Sequence, residues 1–201
     1  MKPLFRLAIA IWAASLALQI QAACQETKST VRTWDLGAWV AADTGEEITN
    51  SFAESQILSA GVFAGRTFHQ AGDGWWRGNL EYAFSVSPMF QLRPRRLHGL
   101  AFEPIILRWN STHRLAFLAP YIELAGGAVR TNMNLPAGNT SDFNFMASGG
   151  AGFYLPSGGK RAWDIGANWK HISNANLGVQ NPEFNGIQFR VAYHWHRTAD
   201  R

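Results

Sequence analysis

The chain has 201 residues, 47% hydrophobic and 16% charged, with 9 Trp, 19 Gly and a single Cys. So many aromatics and so few charges exclude an intrinsically disordered chain, and one cysteine excludes a disulfide framework. The 18 basic and 14 acidic residues give +4, and setting aside Lys2 and Arg6, which lie in a leader segment, leaves 16 against 14, a net +2 that is no footprint for nucleic acid.

The leader comes first. Lys2 and Arg6 supply a positive start ahead of an uncharged apolar run from Leu7 to Leu18, shorter than the roughly 20 residues that a membrane-spanning helix needs. Ile20-Gln21-Ala22 then offers a small-residue cleavage site. The pattern predicts a cleaved signal peptide over residues 1–22 and one exported domain over 23–201. Gln21 stands where a lipoprotein signal carries an aliphatic residue, which argues against lipidation of Cys24.

From there, short apolar and aromatic runs alternate with turn residues. Eight strands are predicted, at about 31–42, 56–69, 75–91, 98–109, 115–130, 142–155, 161–173 and 185–196. The segments 43–55, 131–141 and 174–184 are long and polar, and the connection from Gln91 to Leu97 carries Arg93, Arg95 and Arg96. Gln70 to Gly74, Asn110 to Arg114 and Pro156 to Lys160 are short. Short turns at one rim and longer loops at the other predict an all-β fold, an eight-stranded antiparallel up-and-down transmembrane β-barrel of the bacterial outer membrane. With the amino terminus in the periplasm, the odd strands run outward and the longer loops face the cell exterior.

Alternation along the strands supports a polar lumen and an apolar outside. In the last strand Ile187, Phe189, Val191, Tyr193 and Trp195 oppose Gln188, Arg190, Ala192 and His194. Strand five sets Tyr121 and Glu123 against Ile122 and Leu124, and strand six sets Asn144 and Ser148 against Phe143, Phe145 and Phe153. Strand four breaks the rule: Glu103 shares parity with Ile105, Leu107 and Trp109, which places a carboxylate toward lipid unless a bulge near Pro104 shifts the register. Trp34, Trp39, Trp75, Trp76, Trp109, Trp163, Trp169 and Trp195 read as interfacial girdle residues. His194 and His196 read as an ordinary rim pair, since no further ligand has metal-binding spacing.

Strand seven ends with chemistry. Trp163, Ile165, Ala167, Trp169, His171 and Ser173 share one face, so imidazole and hydroxyl project together outward at the loop-side rim. The next strand begins with Glu183 and Asn185, which share parity with Ile187 and turn to the same outer face.

His171-Ile172-Ser173-Asn174-Ala175, followed by Asn181-Pro182, resembles the signature of the lipid A 3-O-deacylase (PagL-type) family, acyloxyacyl hydrolase-like outer-membrane barrels. The stretches Phe102 to Trp109 and Pro120 to Leu124 are similar too, though less diagnostic. The resemblance implies a serine esterase that removes the ester-linked 3-hydroxyacyl chain at position 3 of the lipid A moiety of lipopolysaccharide. It implies no metal or other cofactor, and a monomer or homodimer. On this resemblance His171 is the general base and Ser173 the nucleophile. The position of the orienting acid is Asn185, not a carboxylate, and Glu183 is the alternative for that role. Asn174 and Asn181 are the expected oxyanion donors, and Arg93, Arg95 and Arg96 are candidate contacts for lipid A phosphates, or simply a basic rim. The contrasting function for the same fold is a non-catalytic small barrel, structural or adhesive.

Overall fold

The structure, a computed structural model, describes residues 34–45, 56–71, 74–93, 97–136, 138–157 and 161–195, without side chains at 69–71. The predicted signal peptide, Cys24, Arg95, Arg96 and His196 lie outside the described residues. Eight strands follow in order: β1 (Trp34–Gly45), β2 (Gln56–Ala71), β3 (Gly78–Arg93), β4 (Leu97–Ser111), β5 (Ala119–Leu135), β6 (Ser141–Pro156), β7 (Ala162–Ser173) and β8 (Phe184–His194). Each pairs antiparallel with its neighbours and β1 pairs with β8, so the sheet closes into an up-and-down barrel with no free edge. The rim where β1 begins and β8 ends, called the turn rim below, carries the connections 72–77, 112–118 and 157–161. The opposite rim, called the loop rim below, carries the two longest, 46–55 and 174–183, but also the short 94–96 and 136–140, because β5 runs to Leu135 and takes up most of the long loop expected at 131–141.

Closure sorts the side chains by alternation. Along β7 the inward Asp164, Asn168, Lys170 and Ile172 are buried, while Trp163, Ile165 and Trp169 are exposed. β8 repeats this with Gln188, Arg190, Ala192 and His194 inside and Ile187, Phe189 and Val191 outside. The outer surface is therefore apolar through the middle of the wall.

The interior divides into two storeys. Toward the loop rim Ile57, Phe90, Leu92, Leu97, Val129, Leu135, Met146, Ile172 and Phe184 form one apolar cluster. Full burial of such a side chain is worth about 1.5–3 kcal/mol. Toward the turn rim lies a charged network. Arg190 Nη1 donates to Glu123 Oε1 at 2.7 Å, and its Nη2 meets Asp164 Oδ2 at 3.4 Å. Arg108 pairs with Glu123 through Nε and with Glu81 at 3.3 Å. The Tyr121 hydroxyl donates to Asp164 at 2.6 Å. Gly152 and Gly166 leave room for that hydroxyl, which a Cβ at either position would overlap.

Four expectations change. β1 extends to Gly45, because Asp43 faces the lumen and meets Lys170 at 3.5 Å instead of beginning the loop. The register irregularity in strand four is real: pairing with β5 shifts between Phe102 and Ile105, turning Glu103 inward to a small cavity lined also by Arg108 and Arg190. The Tyr82 hydroxyl donates to the Pro104 carbonyl at 2.5 Å, from β3 to the bulge. Trp39 is not a girdle residue, since it shares parity with Asp35 and Asp43 and its indole N–H donates to Ser85 Oγ at 2.9 Å inside the barrel. His194 is not a rim residue either, as its Nδ1 lies 2.8 Å from Asp35 and its Nε2 3.5 Å from Asp164, deep in the network.

Candidate active site

The last hairpin builds the site because its two strands are clamped from within. Ile172 and Phe184, both fully buried, belong to the apolar cluster at the loop rim. Their alternation neighbours His171, Ser173 and Asn185 are thereby held on the outer face. Direct register pairing puts His171 opposite Asn185. His171 Nδ1 lies 2.8 Å from Asn185 Oδ1, and its Nε2 lies 3.0 Å from Ser173 Oγ. An amide oxygen only accepts, so Nδ1 carries the hydrogen and the Nε2 lone pair faces the serine hydroxyl. Glu183 makes no hydrogen bond or ion pair with this imidazole.

His171 and Ser173 are half-buried, at the edge of the apolar wall, and Asn185 is covered. On the outer face Phe145 and Ala147 flank Ser173 and His171 across β6, and Trp169 lies below on β7. The pair therefore opens toward lipid at the loop rim, away from the lumen.

The loop after Ser173 turns back on itself tightly. Ala175 and Asn176 adopt φ of 51° and 62°, and the Leu177 N–H donates to the Asn174 carbonyl at 3.0 Å, closing a turn with both central residues left-handed. Asn174 faces inward and is fully buried. Its backbone N–H donates to Asn181 Oδ1 and its Nδ2 to the Gln180 carbonyl, both at 2.8 Å. Both the backbone N–H and the side-chain amide of Asn174 thus donate within the loop itself. Asn181, whose oxygen is held by Asn174, is left with an amide NH₂ that has no partner among the described residues. The β5–β6 connection braces the loop: the Gln180 N–H donates to the Asn139 carbonyl at 2.9 Å, and Gly178 lies against Thr140 so closely that a Cβ there would stand 2.7 Å from the Thr140 carbonyl oxygen.

Of the three arginines expected near the headgroup, Arg93 is exposed at the loop-side end of β3. The sequence reading did not single out Arg130, which is exposed on the outer face of β5 and meets Asp142 of β6 at 3.4 Å. Its signal was present, as it shares parity with Ile122 and Leu124 at the end of an apolar strand face.

A protein-family model described as Lipid A 3-O-deacylase (PagL) matches residues 49–194. A solved structure described as the crystal structure of the outer membrane enzyme PagL is similar in fold, with a TM-score of 0.53 at 17% identity, covering 79% of this chain and 97% of that chain. No curated protein matches the sequence.

Proposed function

The chain belongs to the lipid A 3-O-deacylase (PagL) family, and on that premise we propose that this outer-membrane ester hydrolase removes the 3-hydroxyacyl chain from position 3 of lipid A by serine chemistry. The observation that carries the reading is the run of two hydrogen bonds, 2.8 Å from Asn185 to His171 and 3.0 Å from His171 to Ser173, on the face turned toward lipid.

The chemistry follows from those positions. His171 Nε2 takes the hydroxyl proton as Ser173 Oγ attacks the ester carbonyl carbon. The Asn181 amide donates to the oxyanion of the tetrahedral intermediate, held in place by the Asn174 N–H. Collapse expels the sugar oxygen, which leaves with the proton from the imidazolium. Water then attacks the acyl-enzyme as His171 takes its proton, and the second tetrahedral intermediate collapses with the imidazolium returning that proton to Ser173 Oγ, releasing the 3-hydroxy fatty acid and free Ser173. Asn185 fixes the tautomer but supplies no charge to the imidazolium, a weaker form of assistance than a carboxylate gives.

Expression of the protein in a Gram-negative host is expected to remove one 3-hydroxyacyl mass from lipid A in mass spectra, and Ser173→Ala to abolish the change. Unaltered lipid A from a correctly assembled wild-type barrel would favour the non-catalytic reading.

A further inference from the structure

One charge beside the reactive pair plays no part in the hydrolysis just described. Ser173 pairs across β6 with Phe145, and Phe145 pairs across β5 with Ala128. Arg130 follows two residues later on the same outward face, roughly 10 Å around the wall and roughly 7 Å nearer the loop rim by strand geometry. Below it the surface is apolar, with Phe102 and Phe145 exposed. Exposed Leu100 and Phe143 flank it across β4 and β6, and above it Met133 is exposed together with Asn132 and with His98 of β4, whose backbone N–H donates to Asn132 Oδ1 at 3.0 Å. Arg130 thus sits where a glycolipid headgroup rests on its acyl chains.

The guanidinium is set up for an anion. Its side chain is 77% exposed, and Nε lies 3.4 Å from Asp142 Oδ2. The two terminal nitrogens form the exposed end of the fork, the edge that can donate two parallel hydrogen bonds to a phosphate. An exposed ion pair of this kind adds little to the stability of the barrel. Among the described residues of β4 to β7, Arg130 is the one arginine that faces outward, since Arg108 is buried in the interior network.

We propose that Arg130, with His98 beside it, binds a phosphomonoester of the glycolipid substrate and so positions the scissile ester at Ser173. The proposal rests on the deacylase reading and makes Arg130 a positioning residue. A phospholipid headgroup or free phosphate would offer the same chemistry, and the substrate arms of the test separate these sources.

The test compares wild type, Arg130→Gln and Arg130→Lys in detergent micelles, on lipid A and on the same lipid A stripped of its phosphates. The expected result is a KM about tenfold higher for Arg130→Gln on phosphorylated substrate, with kcat within about twofold and Arg130→Lys between. On stripped lipid A the three proteins should share one high KM. Equal KM for wild type and Arg130→Gln on phosphorylated lipid A overturns the assignment, as does an equal loss on both substrates. A wild-type KM that ignores the stripping also overturns it, because the ligand is then phosphate from elsewhere. Binding of both lipids to Ser173→Ala, with and without Arg130→Gln, gives a readout free of turnover. Weaker binding of phosphorylated lipid A alone supports the site even if wild type hydrolyses nothing, a result that sinks only the deacylase reading; unchanged binding sinks only the phosphate site.

Discussion

A single side-chain amide separates this site from one with a charged third member. Asn185 is nearly isosteric with Asp and already lies 2.8 Å from the imidazole. Asn185→Asp should therefore keep the geometry and raise kcat, by roughly tenfold, since a carboxylate stabilises the imidazolium formed in the transition state. Asn185→Ala should lower kcat about 10²-fold by freeing the ring and its tautomer. Single-turnover deacylation of both variants checks these outcomes, and an unchanged kcat in Asn185→Ala would remove Asn185 from the site. The pair itself was legible in the sequence because residues i and i+2 of a strand must share a face, which fixes His171 beside Ser173 without further information. The contacts of Asn174 were not legible. Its backbone N–H and side-chain amide donate to Asn181 and Gln180, and those contacts arise only once the chain folds back through two left-handed residues, Ala175 and Asn176.

At the level of elements, the reactive hairpin depends on supports at both ends. Ile172 and Phe184 pin its strands from inside, and the β5–β6 connection holds its loop through Gln180 and Gly178. Gly178→Ala puts a methyl group 2.7 Å from the Thr140 backbone, so the two loops must part. A shift of about 1 Å at the reacting groups costs on the order of 10²-fold in rate. The variant is expected to keep its fold, shown by an unchanged heat-modifiable gel shift, while losing about that factor in kcat; full activity would mean the brace is dispensable. Strand positions were readable because period two leaves a strong trace in β5, β7 and β8. The ends were less so: nothing in local sequence says that Asp43 will find Lys170 across the lumen and lengthen β1. Parity counting also fails wherever one residue is added, and the irregularity between Phe102 and Ile105 reverses the side on which Glu103 falls. Trp39 shows the other limit, since an aromatic ring suits the lumen of a narrow barrel as well as its girdle; its parity with Asp35 and Asp43 turns it inward, where its indole reaches Ser85 across the lumen.

For the molecule as a whole, the charged storey is a commitment made by partners on distant strands. Arg190 of β8 joins Glu123 of β5 and Asp164 of β7. Removing the cation leaves two buried carboxylates without it, so Arg190→Ala should cost about 3–5 kcal/mol. Urea unfolding in lipid vesicles measures this, and a loss under about 1 kcal/mol would show that water or local rearrangement replaces the arginine. The apolar storey above it separates this network from the loop rim.

The exposed tryptophans are spread unequally along the barrel. Trp34, Trp75, Trp76, Trp163 and Trp195 are exposed toward the turn rim, while Trp169 is exposed in the loop-side half of β7 near Phe102, Phe143 and Phe145. Indoles favour the bilayer interface, so five of the six exposed indoles among the described residues moor the turn rim. From Trp163 to Ser173 a tilted strand climbs roughly 25 Å, about the height of the hydrocarbon band of such a barrel. The hydroxyl is thus a fixed distance from its mooring, like a mark on a tide gauge. If Ser173 is the nucleophile as proposed, a thicker or thinner bilayer is expected to shift the ester past that mark and change the rate of its hydrolysis, which assays in vesicles of graded acyl length measure.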